Sequence, residues 1–196
     1  MSEASEDKLA LFDMDGTLAD YEGRLREDLL RLAAPGEPAP KLHWDEGEPW
    51  IDARMALIKS QPGWWLGLER LPSGFLMLNL VREVGFSVHV LTKGPRRTAV
   101  AWGEKLVWCQ RHIDADVDIT ITQDKGLVYR RVLVDDFQPY LEGWLKHRPR
   151  GLGLMPLTEY NKGFRHPNVI HYPPDMVKGD PTYMTIRDAL VTVFNR

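Results

Sequence analysis

The residues best suited to chemistry are two pairs of acids, a threonine and a lysine, each set near the end of an apolar run. Asp13 and Asp15 close the run Leu9-Ala10-Leu11-Phe12 and are followed by Gly16 and Thr17. Two carboxylates so close repel each other unless a cation or a shared proton intervenes. A pair of hard oxygen donors therefore asks for a divalent metal, Mg²⁺ first. Gly16 allows a sharp turn directly after the pair. Thr92 follows the run Phe86–Leu91, Asp135 and Asp136 follow Arg131–Val134, and Lys105 lies in the segment after Thr92. Taken singly, Thr92 or the Asp135-Asp136 pair fits a helix cap and Lys105 a solvated helix position. Their joint order behind apolar strands argues for one site.

The elements that must carry these groups alternate. Short apolar runs read as buried parallel strands at Leu9–Phe12, Phe86–Leu91, Ile119–Thr122, Arg131–Val134 and Gly151–Leu154, with another at Val169–Tyr172. Helical spacing predicts helices over Tyr21–Ala34, Pro49–Ser60, Phe75–Val84, Arg97–Arg111, Tyr140–His147 and Met184–Phe194. Gly85 is placed to cap the third of these. The alternation predicts an α/β fold with a parallel sheet, whose ligands bind beyond the carboxyl ends of the strands. The segment 21–71 falls between the first two strands and reads as a helical cap. The core is then 8–20 and 72–196, with residues 1–7 a frayed leader.

Composition narrows the class. The 196 residues are 43% hydrophobic and 27% charged, the balance of an ordinary globular protein that can bury a sizeable core. A net charge of −3 argues against binding a nucleic acid polymer through a basic stripe. Cys109 is the single cysteine, so no intrachain disulfide forms and a reducing, cytoplasmic setting is expected. The acidic start MSEASEDK is unlike a signal peptide, and no apolar run approaches membrane-spanning length.

The DMDGT turn, Thr92, Lys105 and the Asp135-Asp136 pair resemble motifs I, II, III and IV of the haloacid-dehalogenase-like (HAD) phosphohydrolases. The resemblance implies a HAD-like, Rossmannoid sheet flanked by helices, with a cap inserted after the first strand. It implies that Asp13 attacks a phosphate monoester and becomes an aspartyl-phosphate. Asp15 would protonate the leaving alkoxide and then activate water. Asp13, the Asp15 main-chain carbonyl and Asp136, with Asp135 adjacent, would hold Mg²⁺. Thr92 and Lys105 would bind the phosphoryl oxygens.

Within that superfamily, DMDGTLADYEG, GWWLGLERLPSG, VLTKGP, EKLVW, ITQDKGLV, VLVDDFQP and LGLMPLTEYN resemble the 5′(3′)-deoxyribonucleotidases. That likeness implies deoxyribonucleoside monophosphates as substrates, dUMP or dTMP first, and a homodimer. It places Lys125 beside the phosphate or the acidic pair, where its residue type also fits a plain turn lysine. It places Tyr21, His43, Trp44 and Trp65 around the base, where a π-face contributes about 1–3 kcal/mol per base. One of Trp64 and Trp65 is expected to glue cap to core instead. The chain departs from the family at Lys93, usually a small hydroxyl residue, and at Gln123 and Phe137, usually arginines. Lys93 is a candidate replacement for charge at the phosphate. These changes bear on substrate choice, and leave a sugar phosphate or other small phosphomonoester as a second reading. A HAD-like binding protein without turnover is a third.

Overall fold

β1 (Leu9–Phe12) lies in the middle of the sheet, hydrogen-bonded in parallel on both sides. In the computed structural model, residues 8–40, 42, 48–96, 98–115 and 117–196 are described. Among them run α1 (Tyr21–Arg31), α2 (Pro49–Lys59), α3 (Pro72–Val84), β2 (Ser87–Lys93), α4 (Ala99–His112), β3 (Asp118–Thr122), β4 (Val132–Val134), α5 (Gln138–Lys146), β5 (Leu152–Pro156), β6 (Val169–Tyr172) and α6 (Pro181–Phe194). The strands form one parallel sheet in the order β3-β2-β1-β4-β5-β6. Chain direction along the sheet reverses between β1 and β4, and the crevice at such a switch point is where open α/β sheets bind ligands. This is the HAD-like α/β architecture expected from the sequence.

Both faces of the sheet are covered, which is why its strands read as unbroken apolar runs. Successive side chains alternate between faces. Ala10, Phe12, Val132, Val134, Leu152 and Leu154 enter one core with residues of α3, α4 and α6, Trp108 and Leu80 among them. Leu11, Leu91, Leu133 and Met155 enter the other, beneath Leu141, Trp144 and Leu145 of α5.

Helix starts differ from the sequence reading in a consistent way. α3, α5 and α6 carry Pro72, Pro139 and Pro181 in their first turns, and so begin two or three residues earlier than expected. Proline is accommodated there because a first-turn N–H has no intrahelical acceptor to lose. β2 runs on to Lys93, so Thr92 lies within the strand end.

The chain leaves the sheet after β1 and returns to it along the same path. Asp20 N–H donates to the Glu69 carbonyl and Leu71 N–H to the Leu18 carbonyl, both at 2.8 Å. Gly74 lets the first turn of α3 close against the Thr17 carbonyl, where a Cβ would collide. Between these two passages lie α1 and α2. Their buried residues Tyr21, Leu25, Leu29, Ile51 and Ile58 join the same apolar cluster as the sheet.

Candidate active site

Asp13 leaves β1 with its N–H bonded to the Val134 carbonyl at 2.8 Å, so the ends of β1 and β4 are fixed side by side. That pairing brings Asp13 to the Asp135-Asp136 pair. One carboxylate oxygen from each of Asp13, Asp135 and Asp136 falls within 4.8 Å of the others, and all three residues are buried. Gly16, at φ +73°, turns the chain over this cluster, and a Cβ there would strike the Asp136 carboxylate.

The three acids do different work. Lys125 donates to Asp13 Oδ1 at 2.8 Å and to Asp135 Oδ2 at 2.7 Å, and the Phe137 N–H takes Asp135 Oδ1 at 3.0 Å. Both oxygens of Asp135 are thus engaged, and Asp13 and Asp136, not Asp135, line the adjoining cavity. Asp136 is oriented from behind. Tyr160 donates its hydroxyl to Oδ2 at 2.5 Å, and Asn161 Nδ2 donates to the Asp136 and Pro156 carbonyls at 3.0 and 2.8 Å. Burial, then Asp135 and Asp13, raise the Asp136 carboxyl well above its ordinary range. Burial and Asp13 push Asp135 up to about 7 against the pull of Lys125. Crowded, buried, acceptor-only oxygens fit a hard divalent cation, which would relieve that repulsion.

Asp15 behaves separately. Its Oδ2 accepts from Lys105 Nζ at 2.5 Å, and its carboxylate stands outside the cluster of three acids. Its Oδ1 is buried and accepts no hydrogen bond. Burial raises its pKa, with Asp13 adding to the rise and Lys105 opposing it. An acid held this way suits proton transfer. Lys105 itself is buried and fully satisfied: its other donors reach Thr92 Oγ1 at 3.1 Å and the Lys93 carbonyl at 2.9 Å. Thr92 is wholly buried under that ammonium and is absent from the cavity wall, while Lys105 is on it.

The cavity holds about 650 Å³ and separates the acids from α2. Trp65 and Tyr21 line it, their rings stacked at 5.6 Å, and Lys105 Nζ lies 4.5 Å from the Trp65 ring centre. Trp64 is edge-on to both rings and donates its indole N–H to Asp28 on α1, away from the cavity wall. His43 and Trp44 lie outside the described residues. Lys93 lines the mouth with its ammonium 4.9 Å over the Tyr140 ring. Phe137 stands edge-on to Tyr140, and Gln123 holds Arg96, which also lines the mouth, at 3.3 Å.

Four participants escaped the sequence reading. Lys59 of α2 lines the cavity and donates to the Tyr21 hydroxyl at 3.1 Å; burial depresses its pKa. Tyr160 and Asn161 sit in the LTEYN segment, which carried family likeness but no assigned role. Glu104 precedes Lys105 in the EK pair and is buried against the 63–65 turn. Lys59, Tyr160 and Glu104 act on residues distant in sequence, which no local pattern marks, and Asn161 joins the nearby Pro156 carbonyl to the distant Asp136 carbonyl.

A sheet switch point lined by Asp13, the Asp15–Lys105 pair and a buried acid cluster defines a HAD-type phosphohydrolase site. Residues 7–166 match the family described as 5′ nucleotidase, deoxy (pyrimidine), cytosolic type C. The chain is 30% identical over 142 residues to human cytosolic 5′(3′)-deoxyribonucleotidase, covering 64% of this chain and 69% of that protein. Its fold is shared with a HAD family hydrolase of Deinococcus radiodurans solved with phosphate and sodium, at TM-score 0.52 and 14% identity over 97% of each chain. The chain belongs to the 5′(3′)-deoxyribonucleotidase family, and is a phosphoric monoester hydrolase.

Proposed function

We propose that the protein hydrolyses deoxyribonucleoside monophosphates, pyrimidine nucleotides such as dUMP and dTMP first, through an aspartyl-phosphate on Asp13. The observation that carries this reading is the cavity itself. It is lined by Asp13, Asp15, Lys105 and Asp136 and by the stacked Tyr21 and Trp65 rings, with Lys105 Nζ 4.5 Å from the Trp65 ring centre. A phosphate and a flat base need those two surfaces together. The family match supports it.

Asp13 would attack phosphorus while Lys105 exchanges one of its present acceptors for a phosphoryl oxygen, with Thr92 beneath the ammonium. Asp15 would give its proton to the leaving sugar oxygen and later take one from the attacking water. Lys125 neutralises the Asp13–Asp135 pair and holds the nucleophile in place. Asp13, Asp136 and the Asp15 carbonyl would hold Mg²⁺, which offsets the charge gathered on the transferring phosphoryl group. The buried lone Cys109, its thiol pushed up to about 12 chiefly by burial, accords with a reducing cytoplasmic setting. Among the described residues no helix is long and apolar enough to cross a membrane.

The test is a panel of 5′- and 3′-monophosphates, ribo and deoxy, beside sugar phosphates, with Asp13→Asn as control. Turnover of deoxynucleotides that vanishes in Asp13→Asn is the expected result. Preference for a non-aromatic phosphomonoester would overturn the nucleotide assignment, and activity retained in Asp13→Asn would overturn the mechanism.

A further inference from the structure

The EKLVW stretch does more than supply Lys105. Glu104 accepts the Gly63 N–H on Oε1 at 2.6 Å and the Trp65 N–H on Oε2 at 3.2 Å. One turn on, Trp108 donates its indole N–H to the Leu68 carbonyl at 2.8 Å. Three residues of α4 thus face two ways. Glu104 and Trp108 grip the 63–68 segment, while Lys105 reaches Asp15. Gly63, at φ +85°, makes the reversal that sets its own N–H and that of Trp65 against one carboxylate. The Trp65 ring is then fixed on its other sides by the Lys59 carbonyl, which accepts its indole N–H at 3.0 Å, and by Tyr21.

We propose that Glu104 and Trp108 are positioning residues that make α4 a gauge, fixing the Trp65 ring of the base wall against the phosphoryl cation Lys105, 4.5 Å from the ring centre. The proposal rests on the nucleotide reading above. The physical basis is the strength of the anchor. A buried carboxylate accepting main-chain N–H groups makes bonds roughly twice as strong as neutral ones. Because Glu104 and Lys105 are successive residues of one helix, the wall cannot drift without breaking that anchor. A substrate is then selected by the distance from its phosphorus to its flat ring, and a small phosphomonoester with no second contact is indifferent to the gauge.

The experiment compares dUMP with glycerol 2-phosphate on the full chain, for Glu104→Ala, Glu104→Gln and Trp108→Phe. In Glu104→Ala the KM for dUMP should rise about tenfold, while kcat/KM for glycerol 2-phosphate changes less than about threefold. Glu104→Gln keeps one acceptor and should recover part of the loss. Trp108→Phe keeps the ring, loses one N–H bond, and should shift in the same direction by about threefold, which also covers the case of a Glu104 variant that fails to fold. Proportional losses on both substrates, or dUMP kinetics unmoved in folded variants, would overturn the gauge. A wild-type protein inactive on dUMP but active on glycerol 2-phosphate would instead overturn the nucleotide reading.

Discussion

Lys105 and Asp15 form a single unit: the ammonium lies 2.5 Å from one carboxylate oxygen, and the other oxygen is buried without a donor. The lysine fixes the orientation of the acid and leaves its second oxygen unengaged.

Lys105→Met keeps the aliphatic stem and removes the charge. It leaves the Asp15 carboxylate, the Thr92 hydroxyl and the Lys93 carbonyl short of a donor. kcat/KM should fall about 10²–10³-fold, the cost of losing one donor to a developing oxyanion. Stability should fall by about 2–4 kcal/mol, as when one member of a buried pair is removed. Steady-state kinetics and denaturant unfolding check the two parts.

Tyr160→Phe removes the hydroxyl that orients Asp136 and leaves its packing in place. Loss of such an outer contact typically weakens metal affinity by about 10–100-fold. Activity titrated with Mg²⁺ should therefore need more metal, and approach the parent rate at saturation. An unchanged Mg²⁺ midpoint would count against a role for Asp136 in holding the ion.

Burial raises the carboxyls of Asp15, Asp135 and Asp136 above their unfolded values, Asp135 to about 7. A group raised in this way binds more protons folded than unfolded. Its stabilising contribution is present below the unfolded value near 3.8 and is lost as pH rises through about 7. Under chelation the melting temperature should accordingly fall between about pH 5.5 and about pH 8 from these groups. Excess Mg²⁺ should restore more at the higher pH, because protons and metal compete for the same oxygens. At about a hundredfold excess over Kd the gain is about 2.7 kcal/mol, on the order of 5–10 °C for a chain of this size. Thermal melts with EDTA or Mg²⁺ at both pH values measure it.

Lys93→Ala tests the exchange of a small hydroxyl residue for a cation at the cavity mouth. Arg96 and Lys125 add to burial in depressing the pKa of Lys93, so the mouth is a cationic surface. A half-exposed charge contributes up to about 1 kcal/mol, so KM should rise about threefold to fivefold with kcat nearly constant and the effect fading in salt. Unchanged kinetics would remove Lys93 from the site.

What the sequence disclosed followed from local rules. Asp13, Thr92 and Asp136 were readable because each ends a strand of a parallel sheet, and strand ends converge by topology. Lys125 was ambiguous because a lysine after Asp124 suits a turn. Only the fold, which buries that turn against Asp13 and Asp135, resolves it. Trp65 was placed at the base by the family resemblance, since adjacency alone says that it and Trp64 diverge and not which one meets the cavity. Tyr160, Glu104 and Lys59 were silent because their partners lie 24, 41 and 38 residues away, and no periodicity encodes such contacts.

The paired passages at Leu18–Leu71 and Asp20–Glu69 mean that residues 21–68 begin and finish at nearly one spot on the scaffold. Closing a loop whose stems are already joined depends only weakly on its length. The helices between can therefore be shortened, extended or transplanted from a related sequence while the strand-end acids keep their places. Substrate taste is free to diverge there, so long as the Glu104 and Trp108 contacts to the 63–68 segment are kept.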